Sequence, residues 1–179
     1  MNETLKHMMA NPVTACGAIF LISAIALMTA LLAEYAFDLQ PCILCIYQRW
    51  PYGIAMILSI VGLGTLYEEN WIRFCSPAVF LCAVVFFING LIASYHIGIE
   101  QHWWTSAIEG CAVDFAPGSV EELMAMMDNK PAVRCDEIAW ADPVLGLSMT
   151  VYNMMLSFTL AVGSAFSAVY IQRKLNGIL

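Results

Sequence analysis

Cys42 and Cys45 form a Cys-x-x-Cys immediately after Pro41, and a second pair, Cys111 and Cys135, lies 24 residues apart farther along the chain. Thiols at such spacing can exchange with other thiols, close structural disulfides, or hold a metal. Pro41 suits the first turn of a helix, where its missing N–H costs nothing. Cys42 and Cys45 are therefore expected on that first turn, at i and i+3, with their side chains on one face. A helix N-terminus and a nearby cation both favour the attacking thiolate. Arg49 is the cation, at i+4 from Cys45 on the same face and about 10 Å along the axis from Cys42. A charge at that depth in an apolar segment is expensive and by default functional; the plain alternative is snorkelling to the lipid headgroups.

Three chemistries stay open for the four cysteines: a redox relay, a pair of structural disulfides, and a zinc site. The spacing is not that of paired zinc knuckles, and an arginine beside the thiols is a poor neighbour for a metal cation. The residues thus favour the relay, with no metal.

These cysteines must be positioned by an apolar chain. Of 179 residues, 61% are hydrophobic and 12% charged, and the mean hydropathy is +0.75. Soluble domains average roughly 45–50% apolar and about 25% charged, so a soluble core is excluded. The net charge of −7 without a basic run excludes nucleic-acid binding. Seven cysteines are many for a reducing compartment.

A membrane span needs about 20 apolar residues. Four stretches qualify, at residues 13–33, 42–66, 74–96 and 145–171, all too long for strands. The expected architecture is all-α: a four-helix transmembrane bundle forming a single membrane domain over 1–179, with one long loop at 97–143. The first stretch exceeds a signal-peptide core, and no small-x-small site precedes Glu34, so it is expected to be retained. Lys6, Arg73, Arg173 and Lys174 flank one side, which the positive-inside rule makes cytoplasmic, with both termini. The opposite, periplasmic side holds the link Glu34–Gln40 and the long loop. That loop carries nine acids (Glu100, Glu109, Asp114, Glu121, Glu122, Asp128, Asp136, Glu137 and Asp142) against Lys130 and Arg134.

Within the loop, Ser119 to Glu122 reads as a capping box after Pro117-Gly118. Val120, Leu123, Met124 and Met127 then make one apolar face, predicting a short amphipathic helix on the membrane surface. His102-Trp103-Trp104 reads as an interfacial aromatic anchor. Cys16, Cys75 and Cys82 fall at or within the spans, as small buried hydrophobes. The other four cysteines all fall on the oxidising side.

The run Pro41-Cys-Ile-Leu-Cys-Ile-Tyr-Gln-Arg49 resembles the signature of the DsbB family, bacterial inner-membrane disulfide bond formation proteins. The resemblance extends to Ser94-Tyr-His-Ile-Gly98, to Glu100-Gln-His-Trp-Trp104 with Cys111, and to Cys135 followed by Leu145-Gly-Leu-Ser-Met149. It covers essentially the whole chain. The vitamin K epoxide reductase family also combines membrane spans, a Cys-x-x-Cys and a loop pair, but there the loop pair comes first. The order here is that of DsbB.

The resemblance implies a thiol-disulfide oxidoreductase that reoxidises a periplasmic, thioredoxin-fold protein of the DsbA type. A partner thiolate would attack Cys111 of a Cys111–Cys135 disulfide, released Cys135 would attack Cys42, and freed Cys45 would pass electrons to a quinone, ubiquinone ahead of menaquinone. Arg49 and Cys45 would sit beside that quinone, and His96 matches the family's histidine near the ring. The implied surroundings are lipid, quinone and a protein partner, with no nucleic acid. The loop's own length and prolines leave the partner's footprint open. A stapled, non-enzymatic membrane scaffold is the rival from another class.

Overall fold

The computed structural model describes residues 9–67, 71–108, 111 and 134–177. The expected amphipathic helix over Ser119 to Met127 lies outside them, as do Lys6 and Lys130. Four helices long and apolar enough to cross a membrane make up the architecture: α1 (Pro12–Phe37), α2 (Ile43–Gly64), α3 (Cys75–Glu100) and α4 (Met149–Leu175). A 3-10 turn at Ile72–Phe74 leads into α3. Among the described residues there is no strand, only an isolated bridge between Ala141 and Ser148. The protein is a four-helix transmembrane bundle.

Each helix begins or ends where local chemistry dictates. Asn11 caps α1, its side chain accepting from Val13 N at 3.1 Å, and Pro12 follows at the first position. The helix does not stop at Ala33. Nothing from Glu34 to Phe37 breaks it, and it ends only at Asp38, whose φ of 52° is left-handed. Glu34 is thereby a helical residue rather than part of a link. Likewise α3 runs on to Glu100, and His102 (φ 58°) turns the chain back. The fourth span begins later than expected. Gly146 (φ 67°) and a hydrogen bond from its N–H to Asp142 O at 2.8 Å form a tight turn, and Ser148 caps α4.

Packing centres on α3, which lies against both α4 and α2, while α1 packs mainly on α2. The lower core gathers Phe86, Val79, Leu160, Ile171, Tyr52 and Ile19 with all three remaining cysteines, Cys16, Cys75 and Cys82. They are buried small hydrophobes, as expected. Close approach of α3 and α4 relies on Gly90: a Cβ there would stand 2.7 Å from the Phe158 ring. Small residues at such crossings are how membrane helices gain packing without a hydrophobic drive.

Gly98 serves the turn after α3. Trp103 N donates to Gly98 O at 2.8 Å, and Trp104 folds back so that its indole stacks on Tyr95 and donates to Tyr95 O at 3.2 Å. A Cβ on Gly98 would run into that indole. Trp103 instead is largely exposed. Replacing Gly98 with Ala is expected to cost about 1–3 kcal/mol of stability by overpacking. A lowered melting temperature in detergent, with loss of the Trp104 near-UV signal, is the check.

The segment before α4 is held by Asp142. Its carboxylate accepts from the N–H groups of Leu145 (3.0 Å) and Val144 (3.3 Å) and from the Tyr152 hydroxyl (3.1 Å). These bonds, Leu145 foremost, hold it below the usual carboxylate range. Because the folded value is the lower one, the contribution is complete above about pH 4 and fades as pH falls through the folded value. Protection factors for amide exchange at Val144 and Leu145 should therefore fall in acid, and in Asp142→Asn they should be low already at neutral pH.

Candidate functional site

The link between α1 and α2 sets the first thiol pair. Pro41 does not open the helix: Cys42 itself is the N-cap, with extended backbone (φ −73°, ψ 170°), and α2 begins at Ile43. The Cys42 Sγ accepts from Cys45 N at 3.4 Å, which a thiol sulfur can do in place of a capping hydroxyl. The two sulfurs still meet on one side, 3.1 Å apart as free thiols. Cys111 and Cys135 form a disulfide, both fully buried. Their loop is drawn onto the bundle by a small cluster with Cys42, Leu44 and Ile99.

Across this cluster the sulfurs of Cys42 and Cys135 and a ring nitrogen of His96 lie within 4.8 Å of one another. His96, 2% exposed, sits on α3 with Nε2 3.5 Å from Cys42 Sγ. Its other nitrogen faces Gln48 Nε2 at 3.0 Å. An amide N–H can only donate, so Nδ1 accepts and the ring proton sits on Nε2, towards the thiol. Gln48 is itself oriented, because Asn153 Nδ2 donates to Gln48 Oε1 at 2.5 Å and the Tyr52 hydroxyl donates to Asn153 Oδ1 at 2.6 Å.

Sequence reasoning missed this support. It also placed Glu100 among the solvated loop acids, whereas Glu100 ends α3 facing inward, 8% exposed. Its two oxygens accept from Thr150 Oγ1 at 2.5 Å and Ser148 Oγ at 2.6 Å. Glu100 Oε1 stands 4.0 Å from His96 Nε2. The signal was present: His96 and Glu100 are four apart, on one face of a helix.

Thiols, histidine and acid all border a cavity of about 480 Å³ between α1, α2 and α4. Its walls are mostly apolar, including Ile22, Leu27, Ala30 and Leu156, with Arg49 at one side. That composition and size are those of a small-molecule pocket. Arg49 does not stand alone beside the thiols, because its guanidinium pairs with Glu34 of α1. The site therefore brings together all six residues expected from the sequence: Cys42, Cys45, His96 and Cys135 in one cluster, Cys111 through the disulfide, and Arg49 along the same cavity.

The sequence model for "Disulfide bond formation protein DsbB" matches residues 12–167. The chain belongs to the DsbB family. Among known relatives, "Disulfide bond formation protein B" of Cupriavidus metallidurans is 27% identical over 166 residues, covering 87% of this chain and 94% of that protein. "Uncharacterized protein RP370" of Rickettsia prowazekii is 27% identical over 165 residues, covering 90% and 91%. No solved structure is similar enough to count as a match. As a DsbB protein, this chain is a disulfide-forming oxidoreductase and a multi-pass inner-membrane protein.

In this DsbB protein the Glu34–Arg49 pair ties α1 to α2 at the edge of the cavity, both side chains about one-fifth exposed (18% and 22%). Breaking a largely enclosed pair leaves an uncompensated charge. Glu34→Ala and Arg49→Ala should each lower the melting temperature. The double variant should lose less than the two together, with a coupling of about 1 kcal/mol or more. A double-mutant cycle in detergent measures it.

Proposed function

We propose that the protein reoxidises a periplasmic dithiol oxidase of the DsbA type and hands the two electrons to a membrane quinone through its two cysteine pairs. The observation that carries this reading is the convergence of the Cys42 and Cys135 sulfurs within 4.8 Å, beside a cavity walled largely by apolar side chains. A purely structural pair of disulfides has no need for a free dithiol at that point. A metal is disfavoured by the disulfide itself, which takes Cys135 out of ligation.

The proposed relay balances as follows. A thiolate of the reduced partner attacks Cys111, the Cys111–Cys135 bond breaks, and Cys135 leaves as a thiolate. Cys135 then attacks Cys42 of an oxidised Cys42–Cys45 pair, forming a Cys42–Cys135 bond and freeing Cys45. The partner's second thiol completes its own disulfide and expels Cys111 as a thiolate, and Cys111 attacks Cys135, breaking the Cys42–Cys135 bond and restoring the loop disulfide, so two electrons come to rest on Cys42 and Cys45.

Quinone use is a family property, and the cavity suits such a molecule: apolar walls for the ring, with His96 at its border and Arg49 as an N–H donor for a carbonyl oxygen. When bound, the quinone supplies the two-electron acceptor. An acceptor is needed because a DsbA-type dithiol is strongly oxidising, near about −120 mV, and each ~30 mV uphill costs about 1.4 kcal/mol for two electrons. A loop disulfide of ordinary stability could not drain it. We take ubiquinone as the acceptor, and the cysteine end as periplasmic. Arg173 and Lys174 in the last turn of α4, with Arg73 just before α3, support this orientation through the positive-inside rule.

The test uses protein in detergent with reduced DsbA-type protein and a soluble ubiquinone analogue, following quinone absorbance. Cys42→Ser and Cys45→Ser should each abolish turnover. Arg49→Ala should raise the quinone KM about tenfold with the fold intact, in line with the loss of one charged hydrogen bond. Full turnover in Cys42→Ser would remove that residue from the relay and return the stapled scaffold to consideration.

A further inference from the structure

Oxidation of the Cys42–Cys45 dithiol breaks two S–H bonds and forms one S–S bond, releasing two electrons and two protons. In an apolar cavity those protons need a residue that can take them. We propose that Glu100 is the proton acceptor of this step: it takes the proton lost by Cys42, while the His96 Nε2–H steadies the thiolate so formed. This rests on the quinone-linked reading above. In balance, Cys42 thiol and Glu100 carboxylate become Cys42 thiolate and Glu100 carboxylic acid. The thiolate closes on Cys45 as the electron pair leaves, and Glu100 then returns its proton to meet the two-proton demand of quinone reduction, the second proton coming from Cys45.

Geometry singles out Glu100. It lines the same cavity as both thiols, and Thr150 Oγ1 and Ser148 Oγ hold one oxygen each at 2.5 and 2.6 Å. The other ionisable groups facing this space are committed elsewhere. Arg49 of α2 pairs with Glu34 of α1, and Arg134 pairs with Asp136 and Glu137 before α4. Tyr152 of α4 donates to Asp142, and Tyr52 of α2 donates to Asn153. His96 is held with Nδ1 as acceptor by Gln48, which leaves its Nε2 as a donor. A buried carboxylate at 4.0 Å from that nitrogen, bonded only by two neutral hydroxyls, is a group that can gain a proton without breaking an ion pair.

Two readouts test this. In quinone-free protein, the infrared difference spectrum between the dithiol and disulfide forms of Cys42–Cys45 should contain a carboxyl C=O band. That band should vanish in Glu100→Gln, survive in Glu137→Gln, and shift in Thr150→Val, which removes one hydrogen bond. The Thr150 variant assigns the band even if Glu100→Gln folds poorly. A difference spectrum with no carboxyl band, or a band unchanged by both substitutions, overturns the proposal. In the quinone assay, Glu100→Gln should slow turnover roughly 10²-fold or more, Glu100→Asp should recover part of the rate, and formation of the mixed disulfide with the partner should be unchanged. Wild-type protein that fails to reduce quinone defeats the underlying reading. Active wild type with an equally active Glu100→Gln variant defeats this proposal alone.

Discussion

The hydrogen bonds that converge on His96 govern both how the bundle packs and what its thiols can do. Polar side chains enclosed among apolar helices have only one another to bond with, and a buried group left without a partner costs about 1–3 kcal/mol. From Tyr52 the donors run through Asn153 and Gln48 to His96, and from Ser148 and Thr150 to Glu100. Those residues belong to α2, α3, α4 and the cap of α4. The network is therefore a helix-packing device, and it is also what fixes the proton of His96 towards Cys42. Buried networks are stabilising when every member is satisfied and costly when one is not, so site geometry and bundle stability cannot be altered separately.

Backbone proximity is the second requirement, and small residues supply it. Gly90 lets Phe158 lie against α3, which brings α4 close enough for Asn153 to reach Gln48 and for Thr150 to reach Glu100. One turn beyond Glu100 the chain must reverse sharply, or the loop carrying Cys111 could not return to the Cys-x-x-Cys. His102 in the left-handed region and Trp104 packed over Gly98 make that reversal. The motifs around residues 94–98 and 100–104 thus have a physical reason: they are the corner that delivers the loop disulfide to Cys42.

Much of this was legible in the sequence, for reasons of scale. A transmembrane helix is announced by some twenty consecutive apolar residues, so all four spans could be placed, and four cysteines at the same end of them stood out by chemistry. Helix ends were harder. Glu34 and His96 look like span ends, yet no proline follows within either helix, and the chain turns only where Asp38 and His102 adopt positive φ. The later helix ends bring Glu34 and Glu100, link and loop residues by sequence, into contacts at the site. Pro41 misled in the opposite sense: it fits the first turn of a helix, but a cysteine sulfur accepting from Cys45 N–H made Cys42 the cap instead. Partner identity within a buried network is not written in periodicity at all. Gln48 and Asn153 are visible as polar residues in apolar spans, but their meeting depends on the crossing of α2 and α4.

The charge balance of the cavity narrows what it can hold. Arg49 has Glu34, and Arg134 has Asp136 and Glu137. Among the described residues that line it, no cation is left without an acid. An anionic ligand would have to compete with those carboxylates and carry its own desolvation cost into an apolar space. A neutral, largely apolar molecule with one or two carbonyl acceptors meets neither penalty, and it finds N–H donors already directed by their neighbours. Neutrality also bears on thiol chemistry. Any negative charge appearing on Cys42 is met by a hydrogen bond from His96, not by a free cation that would trap it. A sulfur that must both receive and give up an electron pair in each cycle is better served by such a partner than by a permanent ion pair, because the same interaction that stabilises a thiolate too strongly slows its onward reaction.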